Sequence, residues 1–238
     1  MTHTIAVAPQ ATKHPGPLGR RPAPQSVAEL LLRAEALEGF TVAQLAAALK
    51  LELPLHNRRA KGFVGGLVEQ ALGADPKART QPDFPALGVE LKTIPIRPDG
   101  TPLESTFCCA IAMGRADRAS WEASVLRRRL DHVLFVAHLA VKDTPLAARR
   151  FARPVLWRPT PPQWQLLQQD WEDLMGKIGA GQSGHLAANV GEILQVRPKA
   201  AHRQVRTWGH GPDGPQAVHP LAFYLRARFT RSILRQQG

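Results

Sequence analysis

The sequence predicts a mixed α/β fold, and three observations carry that prediction. Segments with apolar residues at helical spacing, such as Val27, Leu30, Leu31, Ala34 and Leu37, are interleaved along the chain with short runs of strand character at 89–94, 106–113 and 133–136. Turn formers punctuate them, among them Pro54, Gly73 and Pro98-Asp99-Gly100. At 238 residues the chain is long enough to bury a good core as one domain or as two closely joined subdomains.

Residues 1–24 carry Pro9, Pro15, Pro17, Pro22 and Pro24 with scattered basic residues and no periodicity, which reads as a flexible tail before a folded unit spanning 25–238. Ser26, with Glu29 three residues on, predicts a capping box opening a helix that runs to Gly39. Thr41 caps a second short helix through Leu49, and 63–72 forms a third that carries Glu69 and stops at Gly73. Val89 to Ile94 alternates with period two, so Val89 and Leu91 face the core while Glu90 and Lys92 share the other face. Thr106–Met113 and Val133–Val136 read as buried strands on either side of a helix from Trp121 to Leu130 bearing Arg127, Arg128 and Arg129. Arg149, Arg150 and Arg153 flank a strand-like run to Trp157, where a solvated face and a DNA contact account for them equally well. Between Pro162 and Lys177, Trp164, Leu167, Trp171, Leu174 and Ile178 keep helical spacing, which leaves Asp170, Glu172 and Asp173 on an outer, partner-facing surface. Ile193–Arg197 is a strand stopped by Pro198, after which Lys199, Ala200 and Ala201 enter a loop. Gly209–Gly214 has the glycine spacing of a dinucleotide loop, but Pro212 and Pro215 bar the helix that motif must open, so it reads as a plain loop. Arg226, Arg228 and Arg231 fall on a final helical segment.

Thirty-one Lys and Arg against nineteen Asp and Glu give a net charge of +12, which favours a polyanionic partner and puts nucleic acid first. No apolar run approaches the roughly 18 residues of a spanning helix. Met1–Ala11 lacks both the basic start and the apolar core of a signal peptide. The adjacent Cys108 and Cys109 suit neither a structural disulfide nor zinc and read as reduced core residues of a cytoplasmic protein. The histidines form no ligand cluster, and there is no Walker loop and no internal repeat.

The chemistry concentrates in Asp83-Phe-Pro-Ala-Leu-Gly-Val-Glu90-Leu-Lys92. Two carboxylates about 4 Å apart repel by about 4 kcal/mol at an effective dielectric near 20, so a site that joins Asp83 and Glu90 wants a cation between them. With oxygen ligands alone that cation is Mg2+. An acid followed by Glu-x-Lys on an adjoining strand resembles the active-site signature of restriction-endonuclease-like nucleases.

A wider set of colinear motifs sharpens the resemblance. Lys61-Gly-Phe-Val-Gly followed by Glu69, the Asp83–Lys92 segment running into Thr-Ile-Pro, Pro102-Leu-Glu-Ser-Thr-Phe107, Trp121-Glu122, Leu156-Trp157, Asp170-Trp-Glu-Asp-Leu-Met175, Leu194-Gln-Val-Arg-Pro-Lys-Ala-Ala201 and Phe223-Tyr-Leu together resemble the MutH family, the strand-nicking endonucleases of methyl-directed DNA mismatch repair. The resemblance covers about residues 26 to 235. It implies a mixed central sheet with flanking helices, in two lobes around a DNA-binding cleft, and nicking of the unmethylated strand at hemimethylated GATC. By motif, Glu69, Asp83 and Glu90 become the acids of a Mg2+ site holding one ion or two, and Lys92 the lysine beside the attacking water. With an unperturbed pKa of about 10.4 a lysine suits orientation and charge stabilisation better than general base catalysis. Lys61 and Arg129 are implied as DNA contacts, Arg129 with a guanidinium where the family commonly has lysine. Arg197 and Lys199 are implied to meet base edges or phosphates, Phe107 to line the cleft or pack in the core, and Tyr224, the one tyrosine, to sense adenine methylation. Double-stranded DNA, MutL and, through it, MutS are the implied partners of a monomer. The alternatives are a GATC restriction endonuclease that cuts both strands and a noncatalytic DNA-binding protein of the same fold.

Overall fold

The computed structural model describes residues 21–54, 62–78, 80–141, 143–186, 190–199, 204–211 and 214–235. Three helices, α1 (Val27–Glu35), α2 (Val42–Ala48) and α3 (Phe63–Leu72), precede β1 (Glu90–Ile96). Then come β2 (Thr106–Ala110), α4 (Val125–Leu130), β3 (Val133–Leu139), β4 (Val155–Trp157) and the long α5 (Pro161–Gly179). The chain closes with β5 (Leu194–Pro198), β6 (Thr207–Gly211), β7 (Gly214–Val218), β8 (Leu221–Leu225) and α6 (Ala227–Arg235).

The helix starts follow their caps. Thr41 and Gln44 form a reciprocal capping box on α2, and Thr160 and Gln163 do the same on α5. At α1 the box is shifted: Ser26 Oγ accepts from Glu29 N–H at 3.1 Å, while the Glu29 carboxylate accepts from Gln25 N–H, one residue outside the cap. Helix α3 ends at Gly73, whose φ of +83° is left-handed. A Cβ there would stand 2.4 Å from the carbonyl oxygen of Pro22, so the residue is held to glycine by conformation and by space. Residues 1–20, most of the expected tail, lie outside the described residues.

The strands expected in one mixed central sheet are distributed over three sheets. In the first, ordered β1-β3-β4, β1 runs parallel to β3 with Glu90 opposite Val133 and Lys92 opposite Phe135, and β4 is antiparallel to β3. β1 is the edge strand, the one position where its Pro95 costs no ladder bond. The second sheet, β2-β8-β5, is antiparallel throughout, and β6 and β7 form a separate hairpin. The division begins at Pro98-Asp99-Gly100, where Asp99 accepts from the amide and hydroxyl of Thr101; one bridge from Ile96 to Pro102 follows before β2 leaves to pair with β8.

Alternation along β1 and β3 feeds two hydrophobic clusters. Leu91, Leu134 and Val136 pack with α1, α2 and α3, while Ile94, Ile96, Val133, Phe135 and Ala137 join α5 and the second sheet. Among the described residues no helix is long and apolar enough to cross a membrane.

Three local expectations are corrected. The helix expected from Trp121 starts only at Val125, because Ser124 caps it by accepting from Arg127 N–H. The expected loop at 209–214 is instead part of the β6–β7 hairpin, in which Gly211 faces Gly214 across a two-residue connection, a length that favours hairpins. Asp170 is not on an outer surface: it is 5% exposed, and its carboxylate accepts from the N–H groups of Glu192, Ile193 and Leu194 at 2.7, 2.7 and 2.8 Å. Backbone donors brought in by a distant segment make this buried acid acceptable.

Candidate active site

The segment between the two central acids is a tight excursion. Phe84 and Val89 bridge to each other, a single 3-10 turn (Pro85–Leu87) fills the gap, and Gly88 takes a left-handed φ of +64° that closes it. The excursion folds Asp83 back on the start of β1, where its Oδ2 accepts from Leu91 N–H at 2.8 Å. Backbone bonds pin both ends, since Asp75 N–H donates to Asp83 O and Glu90 N–H to His132 O.

Glu90 is fully buried. Its Oε1 accepts from Lys92 Nζ and from Arg129 Nη1, the latter at 3.0 Å, and the Lys92 side chain is only 11% exposed. Period two thus brings Lys92 onto its neighbour two residues back, and α4 delivers Arg129, which also reaches the Cys108 carbonyl. Glu90 Oε2 has no hydrogen-bond partner among the described residues. Burial raises the Glu90 carboxyl above its usual range, and the negative Asp83 adds to it, against the lowering effect of Lys92 and Arg129. Glu69 on α3 is exposed, yet loss of hydration and then Asp83 raise its pKa as well.

When all are ionised, Glu69, Asp83 and Glu90 outnumber Lys92 and Arg129 by one charge. Oxygen donors, an orphaned buried Glu90 Oε2 and mutual repulsion through Asp83 fit a hard divalent cation. The fit is one of ligand chemistry and not of finished geometry: among the described residues no three acidic, imidazole or thiol groups converge as a ready ligand set.

Across from this cluster, β2, β8 and β5 build a second one. Phe107 and Tyr224, opposite each other in the β2–β8 ladder beside a bulge, stack edge to face with centroids 5.5 Å apart. Lys199 Nζ lies 3.8 Å from the centre of the Phe107 ring, and the Arg197 guanidinium lies 5.8 Å from that of Tyr224. Burial raises the Tyr224 phenol pKa and lowers that of Lys199. A cavity of about 1640 Å3 is lined by Glu69 and Lys92 on one flank and by Phe107, Arg197, Lys199 and Tyr224 on the other.

The family model for the DNA mismatch repair enzyme MutH matches residues 72–170. The DNA mismatch repair protein MutH of Shewanella amazonensis is 44% identical over 214 residues, which cover 90% of this chain and 96% of that protein. This chain belongs to the MutH family. MutH proteins of Histophilus somni and Pasteurella multocida are 43% and 42% identical, over 89% and 90% of this chain and 95% and 96% of their own lengths.

In this chain the residues singled out by sequence fall into three groups. Glu69, Lys92, Phe107, Arg197, Lys199 and Tyr224 line one cavity. Asp83, Glu90 and Arg129 are not among the cavity-lining residues, and Arg129, expected to touch DNA, is ion-paired with Glu90. Lys61 lies outside the described residues. Sequence reasoning missed Ser105 and Gln195, which hydrogen-bond to each other beside the aromatic pair, and it missed Thr93 and His138 on the cavity wall. Gln195 was accessible through register alone, since it pairs with Tyr224 across β5 and β8.

Proposed function

We propose that this protein is a Mg2+-dependent endodeoxyribonuclease that nicks the unmethylated strand at hemimethylated GATC sites during DNA mismatch repair. The observation that carries this reading is one cavity lined by Glu69 and by Lys92, the ion-pair partner of Glu90, on one flank and by a cation–aromatic cluster on the other. One flank suits hydrolysis of a phosphodiester, and the other suits recognition of bases.

Glu69, Asp83 and Glu90 would hold the metal, which when bound would supply Lewis acidity toward a phosphate oxygen and a more acidic water. Asp83 is oriented for this by the Leu91 amide. Lys92, ion-paired with Glu90 at the cavity wall, holds the attacking water in place and offsets charge that builds on the phosphate. Arg129 steadies Glu90 from the other side, a positioning role. Arg197 and Lys199 leave the Tyr224 and Phe107 rings to meet base edges and phosphates, a bidentate arginine–guanine contact being worth about 1–3 kcal/mol of discrimination. Tyr224, a neutral phenol, excludes an N6-methyl group from the place beside it. Phe107 backs that ring and joins the cleft wall.

The folded unit spans 25–238 in two lobes with DNA bound between them. The protein acts in the cytoplasm as a monomer, activated by MutL, which MutS recruits. The test is cleavage of a labelled duplex with one GATC site, unmethylated, hemimethylated or fully methylated, with Mg2+ and with EDTA, adding MutL where activity is weak. Nicking confined to unmethylated strands and abolished by EDTA is expected. Double-strand cutting would favour a restriction enzyme, and binding without cutting a noncatalytic DNA-binding protein.

A further inference from the structure

Beyond the acid cluster, three residues lining the same cavity each bury one unpaired polar atom. Thr93 Oγ1, His138 Nδ1 and Arg149 Nε are each buried without a hydrogen-bond partner among the described residues, and all three residues line the cavity. His138 is 4% exposed, its ring edge-on to Phe151. Buried polar atoms are rarely left unpaired, and three on one cavity wall point to something that is bound there.

Topology explains their grouping. Thr93 pairs with Val136 and Pro95 with His138 in the parallel β1–β3 ladder, so Thr93 and His138 are diagonal neighbours on one face of the sheet. Strand spacing and rise put their Cα atoms about 8 Å apart, a gap that one tetrahedral oxyanion hydrogen-bonded to both side chains fills. That face is opposite the one bearing Glu90 and Lys92, but β1 is the edge strand and its residues Leu91 to Pro95 line the cavity without interruption. Arg149 is near enough for its positive charge to act on the His138 imidazole, whose pKa burial and that charge together lower to about 4. A hydroxyl, a guanidinium and a ring nitrogen provide donors. The nearby acid on this wall, Asp143, is exposed.

We propose that Thr93, His138 and Arg149 form a phosphate pocket, separate from the cutting site, that grips the DNA backbone where the duplex continues along β1. It rests on the reading of this cavity as a DNA site. The shared chemistry is a phosphate group, and two sources compete, the duplex backbone and free inorganic phosphate.

The experiment uses the full chain with a GATC duplex in EDTA, so that binding is read without cleavage. The slope of log Kobs against log salt falls in magnitude by about 0.9 in Arg149→Gln, the loss of one phosphate contact, and is unchanged in Lys177→Gln, exposed on α5 and outside the cavity lining. The His138 imidazole resonances shift when duplex is added to the wild type and stay put in Arg149→Gln. Thr93→Val, nearly isosteric and uncharged, repeats the imidazole readout should Arg149→Gln fail to fold. An unchanged slope with no imidazole shift overturns the pocket, as does an equal loss of slope in Lys177→Gln. A shift with inorganic phosphate but none with duplex overturns the DNA source. Wild-type protein that binds duplex without nicking sinks the catalytic reading while leaving this one standing, and failure to bind any duplex sinks both.

Discussion

Replacing Asp170 by asparagine tests how β5, the strand that carries Arg197, is held in place. The carboxylate is buried in α5, its Oδ2 accepting from Ile193 and Leu194 N–H and its Oδ1 from Glu192 N–H. Asparagine keeps the shape and one carbonyl oxygen, but it turns an NH2 toward one of these amides and removes the charge that strengthens the other two bonds. A hydrogen bond to a charged group is worth about 1.5–3 kcal/mol. Losing one and weakening two therefore costs about 3 kcal/mol. For a chain of this size that lowers Tm by about 6–12 °C. Thermal and urea melts read the effect, with Glu172→Gln as the control because Glu172 is exposed and bonded only to Gln168, so its loss stays within about 0.5 kcal/mol. Equal melting of Asp170→Asn and wild type would refute the claim that these three bonds anchor the entry to β5.

Lys92→Ala is expected to cut nicking by about 100- to 1000-fold while duplex binding in EDTA persists; loss of binding, or retained cutting, contradicts the role given to the ammonium. In Tyr224→Ser the preference for unmethylated over methylated strands collapses toward unity in the same cleavage assay, and an unchanged preference removes the steric account. His138 predicts a pH effect on stability. Its imidazole titrates at about 4 in the fold, depressed first by burial and then by Arg149, against about 6.5 unfolded. A depressed pKa contributes stability that is full above pH 6.5 and is lost as pH falls toward 4, here about 3 kcal/mol. The stability difference between wild type and His138→Val, followed by urea melts from pH 7 to 4, should decline by that amount, and a flat difference rules the depressed imidazole out.

The parts of the fold that were legible in sequence rest on local rules. Thr41 capped α2 as its side chain demands, Gly73 ended α3, and period two set Glu90 and Lys92 on one face of β1, where they form an ion pair. What escaped depends on partners far along the chain. Asp170 has polar neighbours that suggest an outer face, and its burial is decided by backbone donors 22 to 24 residues later. The β6–β7 hairpin was obscured by Pro212 and Pro215, which bar a helix but do not bar a two-residue connection. Thr93 and His138 look like ordinary strand residues until the β1–β3 register sets them diagonally on one face.

Glu90 shows why the candidate site was nonetheless the easiest part to find. A fully buried carboxylate with one oxygen shared by two cations and the other unpaired is a poor solution for stability, since desolvating three charged groups offsets much of their attraction. An apolar residue at the start of β1 would join the Val133 and Phe135 cluster at no such cost. Local rules for a stable strand therefore argue against Glu90, and its presence needs a reason outside folding. The same mismatch is visible in sequence alone as a Glu-x-Lys inside a largely apolar strand, with Asp83 seven residues ahead of Glu90. A site that opposes its own fold is easier to read from sequence than one, like Asp170, that serves it.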